Sequence, residues 1–481
     1  MNFFRYISAI IICVSAFAVG KPNFAQEKTQ EKTIDNAPKT KKRPVYKQLR
    51  YDEDWSFLKD KTNRADYLDR LKYIPLGREN WYVTLGGEAR PFYEYFKNEN
   101  FGSAANDKNG WILQRYMLHA DFHAGEKVRI FAQVKSGLIN TRRGGARGAD
   151  LDKLDLNQLF FDYKFIADKN KSVFLRVGRQ EISFGSSRLV GTREGPNVRQ
   201  SFDGVRVSGK VRNWSLDAFA VKPVSTEQGF FDDKPISSQT FGGFYAVSPS
   251  GFLTKKGKLD LYYFGLDKKQ SRFYQGAARE IRQTIGTRIW NSGDALDYNF
   301  EFAYQFGKFG AGRIAAWTAA SDTGYTVEKW RFKPRFGIKA NRTSGDKNPL
   351  DANLETFNAL FPRGAYFGQL SPIGPYNHTD LHGSVTLALT GKLTVNLDYI
   401  NFWRTSIHDG IYNVSGAVLR NANNSRARFI GRQYAVEGNY KIDSHTSLTI
   451  NYSRFNAGRF LRESPPAENT SYFAAWLTYK F

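Results

Sequence analysis

WILQRYMLHADFHA, residues 111–124, is the stretch whose reading decides the fold. Ile112, Tyr116, Leu118, Ala120 and Phe122 fall on one parity, and Arg115, His119, Asp121 and His123 on the other. A period of two sustained over such a length is the signature of a β-strand with two unlike faces. Ordinary strands run to about 5–6 residues, whereas a tilted strand crossing a bilayer needs roughly 9–11. The pattern recurs along the chain. Val128, Ile130, Ala132 and Val134 oppose Arg129, Gln133 and Lys135; Tyr298, Phe300, Phe302, Tyr304 and Phe306 oppose Asp297, Asn299, Glu301 and Gln305; Leu393, Val395, Leu397 and Tyr399 oppose Thr394, Asn396 and Asp398.

The connections between these stretches alternate in length. Short ones are Ala124–Lys127, Ile166–Lys171, Arg212-Asn213, Gly391-Lys392 and Asp443–His445. Long ones are 97–110, 141–153, 182–203, 224–239, 268–283, 343–381, 403–432 and 456–470. Short periplasmic turns and long outer loops are the rhythm of outer-membrane barrels, and Tyr, Phe and Trp gathered at strand ends supply the interfacial girdle. The prediction is an all-β chain: a transmembrane antiparallel β-barrel of about 18 strands over residues 81–481. Keeping the alternation requires the tight Gly307–Gly310 connection to lie at the outer end. The last ten residues, Tyr472 to Phe481, alternate as well, with Phe473, Ala475, Leu477, Tyr479 and Phe481 on one face.

Composition agrees. The 481 residues are 41% hydrophobic and 15% aromatic, too aromatic for a disordered chain, and no apolar run reaches the ~20 residues of a membrane helix. The longest apolar stretch, Ile7–Gly20 after Arg5, reads as the core of a secretory signal peptide spanning 1–26, with cleavage between 18 and 26. The single cysteine, Cys13, lies inside it, so the exported chain has no thiol chemistry. Residues 27–80 read as a periplasmic leader. Its first part is Lys-, Thr- and Glu-rich and expected to be disordered; residues 51–75 are expected to be irregular or helical, with Asp54 or Ser56 capping a helix over Trp55–Leu71. The first 50 residues hold ten Lys/Arg and three Asp/Glu, which leaves +17 of the formal +24 on residues 51–481.

A basic barrel points to a channel for anions. Rings of Arg or Lys favour carboxylate or phosphate passage, and the planar fork of Arg pairs with carboxylates and stays charged. Alternation nominates Arg115, Arg129, Lys135, Arg176, Arg206, Arg288, Arg313 and Arg335 as pore-lining. Nucleic acid is an unsuitable partner for an exported chain whose charge is spread over many strands. His119, Asp121 and His123 share one strand face but have no third anchor, so they read as polar lumen side chains and not as a metal site. No Gly-x-Ser-x-Gly elbow or phosphate loop is present, and no cofactor is implied.

Several stretches resemble the alginate export family of outer-membrane barrels: Leu175–Gln180, Arg193–Arg199, Ser201–Arg206, Leu360–Gly368, Phe402-Trp403-Arg404 and Ile430–Gln433. The resemblance implies an eighteen-stranded monomer in the outer-membrane lipid, with an Arg-lined pore that passes an anionic polysaccharide of the polyuronate type. It also implies that one long outer loop enters the pore; here that is 343–381, carrying Arg363. It adds Arg363, Arg404 and Arg454 to the pore-lining set, although strict alternation places Arg454 with Leu448, Ile450 and Tyr452. Asn157 and Gln158 stand where the better-known member has a basic residue. Two alternatives stay open: a general or uptake porin for small acidic solutes, and a barrel-embedded hydrolase. Direction, and with it partnership with periplasmic export or uptake components, is open too.

Overall fold

The computed structural model describes residues 44–140, 142–168, 171–252, 256–293 and 295–481. The signal-peptide reading and the leader as far as Arg43 lie outside the described residues. Eighteen long strands follow one another: β1 Trp81–Lys97, β2 Trp111–Ala124, β3 Val128–Ile139, β4 Asp152–Asp168, β5 Lys171–Gln180, β6 Phe202–Val211, β7 Trp214–Pro223, β8 Gln239–Val247 and β9 Lys258–Phe273 form the first half. β10 Gly276–Asn291, β11 Leu296–Phe309, β12 Gly312–Thr326, β13 Arg335–Thr343, β14 His378–Ala388, β15 Leu393–Arg404, β16 Phe429–Lys441, β17 Thr446–Ala457 and β18 Thr470–Lys480 complete it. Each pairs antiparallel with its sequence neighbour, and β1 pairs with β18, Glu88 opposite Lys480 and Lys97 opposite Ser471. Closure leaves no strand edge, the condition for satisfying backbone polar groups in lipid.

The two parities sort as the sequence demands, inside out relative to a soluble protein. On β11 the outward Phe300, Phe302, Tyr304 and Phe306 are exposed, while the inward Ala303 and Gln305 are fully buried. On β2 Ile112, Tyr116 and Leu118 face out, and Arg115, His119 and Asp121 are buried inside. At the short end, Arg212 and Asn213 both take positive φ, the backbone of a two-residue hairpin turn that matches strand twist.

Two connections depart from expectation. The expected long loop 268–283 is strand almost throughout, and only Tyr274 and Gln275 separate β9 from β10. Its charged residues belong to strands standing above the apolar band, with a register shift between Lys268 and Ser271 absorbing the extra residue. The tight connection after β11 is Gly310-Ala311, at the end where the long loops lie, so the alternation survives.

Residues 44–80 are packed on the barrel rather than disordered, and no single helix covers 55–71. Short 3-10 turns at Arg50–Asp52, Ser56–Lys59 and Lys61–Asn63 precede a one-turn helix, Asp69–Lys72, and Ile74-Pro75 pairs with Tyr82 and Val83 of β1. Asp54, Asp60, Asp66 and Asp69 each accept backbone N–H groups nearby, the local bonding that competes with a continuous helix. The apolar residues find cover instead. Tyr51 is buried in the lumen edge-on to Phe160 at 5.5 Å and Phe131 at 6.1 Å, and its hydroxyl donates to the Glu181 carbonyl at 2.8 Å. Arg50 donates to the carbonyls of Gly87 at 2.9 Å and Phe481 at 2.7 Å, tying the segment to the first and last strands.

Candidate functional site

Two outer connections fold into the lumen and hold each other. The loop between β5 and β6, residues 181–201, is pinned to the inner wall by Arg90. That side chain donates to the carbonyls of Glu194 at 3.0 Å, Gly195 at 3.3 Å and Pro196 at 3.0 Å. Asn197 donates to the carbonyls of Gln114, Leu138 and Asp150. The loop between β13 and β14, residues 344–377, spans the lumen. Gln305 of β11 donates to the Asn358 carbonyl at 2.7 Å, and Gln433 of β16 to the Phe367 carbonyl at 3.1 Å. Where they meet, Gly191 N–H donates to Phe361 O at 2.8 Å, Phe361 N–H to Leu189 O at 2.9 Å and Arg363 N–H to Ser187 O at 3.0 Å. Phe361 packs against Phe202 and Phe241.

The joined loops form a partition. Leu360 and Tyr376 of the longer loop line an outer cavity of about 740 Å³ together with Lys268, Arg272 and Arg420. Ala365 and Gln369 of the same loop, with Gly195 of the other, line an inner cavity of about 640 Å³. The resemblance pointed to an inward loop carrying Arg363. The second inward loop, 181–201, has one signal in the sequence, the family-like stretch Arg193–Arg199, and that stretch carries no information on position.

Most nominated cations are inward and already paired. Arg115 bonds Glu88 at 2.5 Å and also Glu194. Arg129 holds Asp121 through two 2.7 Å bonds; Lys135 bridges Asp233 at 2.8 Å and Asp152 at 2.9 Å. Arg176 grips both oxygens of Asp162 and lies 3.6 Å from the Phe160 ring centroid and 4.1 Å from that of Tyr51. Arg206 pairs with Asp217, Arg288 with Asp260 and Arg335 with Asp297, each at 2.6–2.7 Å. Arg404 is buried and, among the described residues, has no carboxylate at ion-pair distance: it donates to the carbonyls of Ile407, Asp409, Ser425 and Ala427, with the Phe460 ring 3.8 Å away. It braces the loop between β15 and β16.

Arg313 and Arg454 are corrections. Arg313 shares the outward parity of Ala315 and Ala319, and Arg454 that of Ile450 and Tyr452. No bend intervenes in either strand, so both point to the rim of the outer surface. Asn157 and Gln158 both turn inward because Asn157 is an extra residue in β4, between Leu156 opposite Val134 and Gln158 opposite Gln133, and both side chains donate to Gln133. Of the histidines, His119 stacks on Phe131 and His123 on Tyr82.

Two loop cations differ from the paired ones. Among the described residues, neither Arg193 nor Arg363 has a carboxylate within ion-pair distance. Arg193 sits at φ +56 in the shorter loop, and Arg363 is exposed within the longer one. Enclosure pulls both guanidinium groups below the ordinary arginine value, with Arg188 adding repulsion at Arg363 and Tyr376 opposing the shift at Arg193. Arginine starts so high that both remain cations. Arg188 itself bonds Asn341 and lies 3.5 Å from Glu301.

A family model described as alginate export matches residues 81–475. The chain belongs to the alginate export family. It is therefore a channel-type β-barrel of the bacterial outer membrane. Solved structures with the same barrel include a BenF-like porin from Pseudomonas fluorescens Pf-5, 14% identical, with a TM-score of 0.57 over 83% of this chain and 98% of that one. Acinetobacter baumannii OccAB1 is 11% identical, with a TM-score of 0.57 over 83% and 96%. Pseudomonas aeruginosa OpdO is 14% identical, with a TM-score of 0.56 over 85% and 98%. At these identities the likeness is one of fold. No curated protein sequence matches the chain.

Proposed function

We propose that the barrel is a monomeric, non-catalytic channel passing anionic polysaccharide of the polyuronate type across the outer membrane, with charge read at the loop partition. The supporting observation is a contrast. The nominated wall cations from Arg115 to Arg335 that face inward sit beside carboxylates, so their fields largely cancel, whereas Arg193 and Arg363 have none. An unpaired guanidinium lowers the barrier for a carboxylate. Each contact is also weak enough to release: exposed ion pairs are worth about 0–1 kcal/mol. A polymer with a carboxylate on every sugar then advances by exchanging partners. A second reading, a porin for small acidic solutes, draws on the same partition, because two separate cavities suit short segments. In either case periplasmic export or uptake components would set direction.

The test is a reversal potential in planar bilayers under a salt gradient. Wild-type protein is expected to be anion-selective, less so at 1 M salt, where screening shortens to ~3 Å. Arg193→Glu with Arg363→Glu should abolish or reverse the preference. Cation selectivity in the wild type overturns the proposal; unchanged selectivity in the double variant removes the partition from it. Current block by short uronate oligomers but not by small acids favours the polymer over the small-solute porin.

A further inference from the structure

The inner cavity combines features that the charge argument leaves unused. Trp476 of β18 and Phe92 of β1 both point inward to line it, with ring centroids 4.9 Å apart. Beside them is Arg90, 4% exposed, its guanidinium carbon 5.3 Å from the Phe92 ring centroid. Both terminal nitrogens of Arg90 are held by loop carbonyls and the Glu194 carboxylate lies 3.9 Å from one of them, while among the described residues its buried Nε has no hydrogen-bond partner. The remaining lining includes the amide and hydroxyl groups of Gln369, Thr394 and Asn439. Aromatic surface, a fixed guanidinium and a polar rim around about 640 Å³ match a particular ligand chemistry. A pyranose has a face of C–H groups that packs on aromatic rings, hydroxyls around its edge that need amide or hydroxyl partners and, in a uronate, one carboxylate for an arginine.

We propose that this cavity is a stacking subsite for a single uronate ring of the passing chain, with Trp476 as its platform and Arg90 as its carboxylate partner. The inference rests on the anionic path proposed above and adds a specificity-determining residue to it. The outer cavity supplies a contrast in charge and platform: it carries Lys268, Arg272 and Arg420 with no carboxylate, and its rings are Phe273 and Tyr376 with no tryptophan. In the inner cavity Glu194 and Asp443 offset Lys392, Lys441 and Lys480, so the tryptophan platform weighs more against charge alone. An aromatic acid would use the rings and Arg90 but leave the amides of Gln369 and Asn439 unused, which is why the sugar acid is favoured.

The experiment is single-channel recording on the full barrel with three probes added singly: an unbranched tetramer of uronate, a neutral glucose tetramer, and benzoate. The uronate tetramer is expected to interrupt the wild-type current, the glucose tetramer only briefly and benzoate least. Trp476→Leu should shorten the uronate block by about tenfold, the factor that ~1.4 kcal/mol of lost stacking represents. Trp476→Phe, which keeps a ring, should retain most of it. Neither substitution should move the reversal potential, since Arg193 and Arg363 are intact, so loss of anion selectivity in the wild type marks failure of the channel reading and not of the subsite. A block by uronate that is as long in Trp476→Leu as in the wild type overturns the subsite. So does an absence of block in an anion-selective wild type, and benzoate blocking longer than uronate replaces the sugar with an aromatic acid.

Discussion

At the scale of the residue, Arg115 and Arg363 show how differently two arginines of one lumen are used. Arg115 is 1% exposed and holds two carboxylates, Glu88 from β1 and Glu194 from the inward loop. Removing it takes the principal cation from the buried Glu88, which keeps only Lys480 at 3.7 Å, while the part-exposed Glu194 retains Arg199 at 3.1 Å; breaking a buried pair costs about 3–5 kcal/mol. Among the described residues Arg363 touches no carboxylate, and its exposed side chain reaches the Tyr366 carbonyl at 3.5 Å. Changing it should stay within about 0.5 kcal/mol. Arg115→Ala should therefore lower the temperature at which the folded band converts to the unfolded band on detergent gels, and Arg363→Ala should leave it in place. Equal shifts would deny the division of labour. Alternation made the inward direction of Arg115 legible in the sequence because parity is local. Its partners were not legible, because Glu194 lies on a loop whose course through the lumen no period encodes.

Elements were read more reliably than loops, for the same reason. Lipid on one side and water on the other impose a period of two along every strand, so the strand number and the closing C-terminal strand could be read without a structure. The reading failed where strands carry charge on their outward parity or beyond the apolar stretch. The Lys- and Arg-rich 268–283 proved to be strand, and Arg313 and Arg454 proved to face outward, because strands rising above the apolar band tolerate charge on either face. The two largest outer loops hide a further feature. Asp346 and Asp409 are both buried, and Asp346 N–H donates to Asp409 at 3.0 Å, as Thr356 does at 2.6 Å. Burial first, then repulsion from Asp409 and Glu355 against the bond from Asn348 N–H, pushes Asp346 up to about 7. A carboxyl with a raised folded pKa contributes stability that is complete below the ordinary Asp value near 4 and is lost as pH rises through about 7. The joined loops should thus be tightest in acid. Limited proteolysis of residues 344–377 should accelerate from pH 5 to pH 8, and Asp346→Asn should hold the slow rate throughout. Faster cleavage at pH 5 would reverse the sign and dismiss the pairing.

At the scale of the whole molecule, the lumen is divided lengthwise as well as across. The segment 46–58 enters at the end of the barrel where Phe481 lies, fills the sector beneath β3 to β6 and covers Arg129, Arg176 and Arg206. Gln48 donates to Thr192 at 2.6 Å and Arg199 to the Gln48 carbonyl at 2.9 Å, so the segment also braces the partition from below. The inner cavity is what remains open on the other side, with Tyr46 as part of its wall. Two consequences can be separated. If the segment obstructs, displacing it should widen the channel; if it only braces, displacing it should loosen the barrel without adding current. Tyr51 and Trp55 are its buried anchors, and truncating a buried aromatic side chain costs about 3–5 kcal/mol. The Tyr51→Ala, Trp55→Ala double variant should release the segment while the closed ladder of β1 to β18 persists. Single-channel conductance should then rise, because Arg129, Arg176 and Arg206 become accessible to solution. Anion selectivity should change little, since those arginines keep Asp121, Asp162 and Asp217 beside them. Added cysteines at Arg129 or Arg206 should react with a thiol reagent in the double variant and resist it when the segment is native, in a chain whose only other cysteine is Cys13. Unchanged conductance together with unchanged reactivity would mean that the segment stays seated without its anchors. Higher reactivity with no gain in current would make it a brace and leave the partition as the narrowest point of the path.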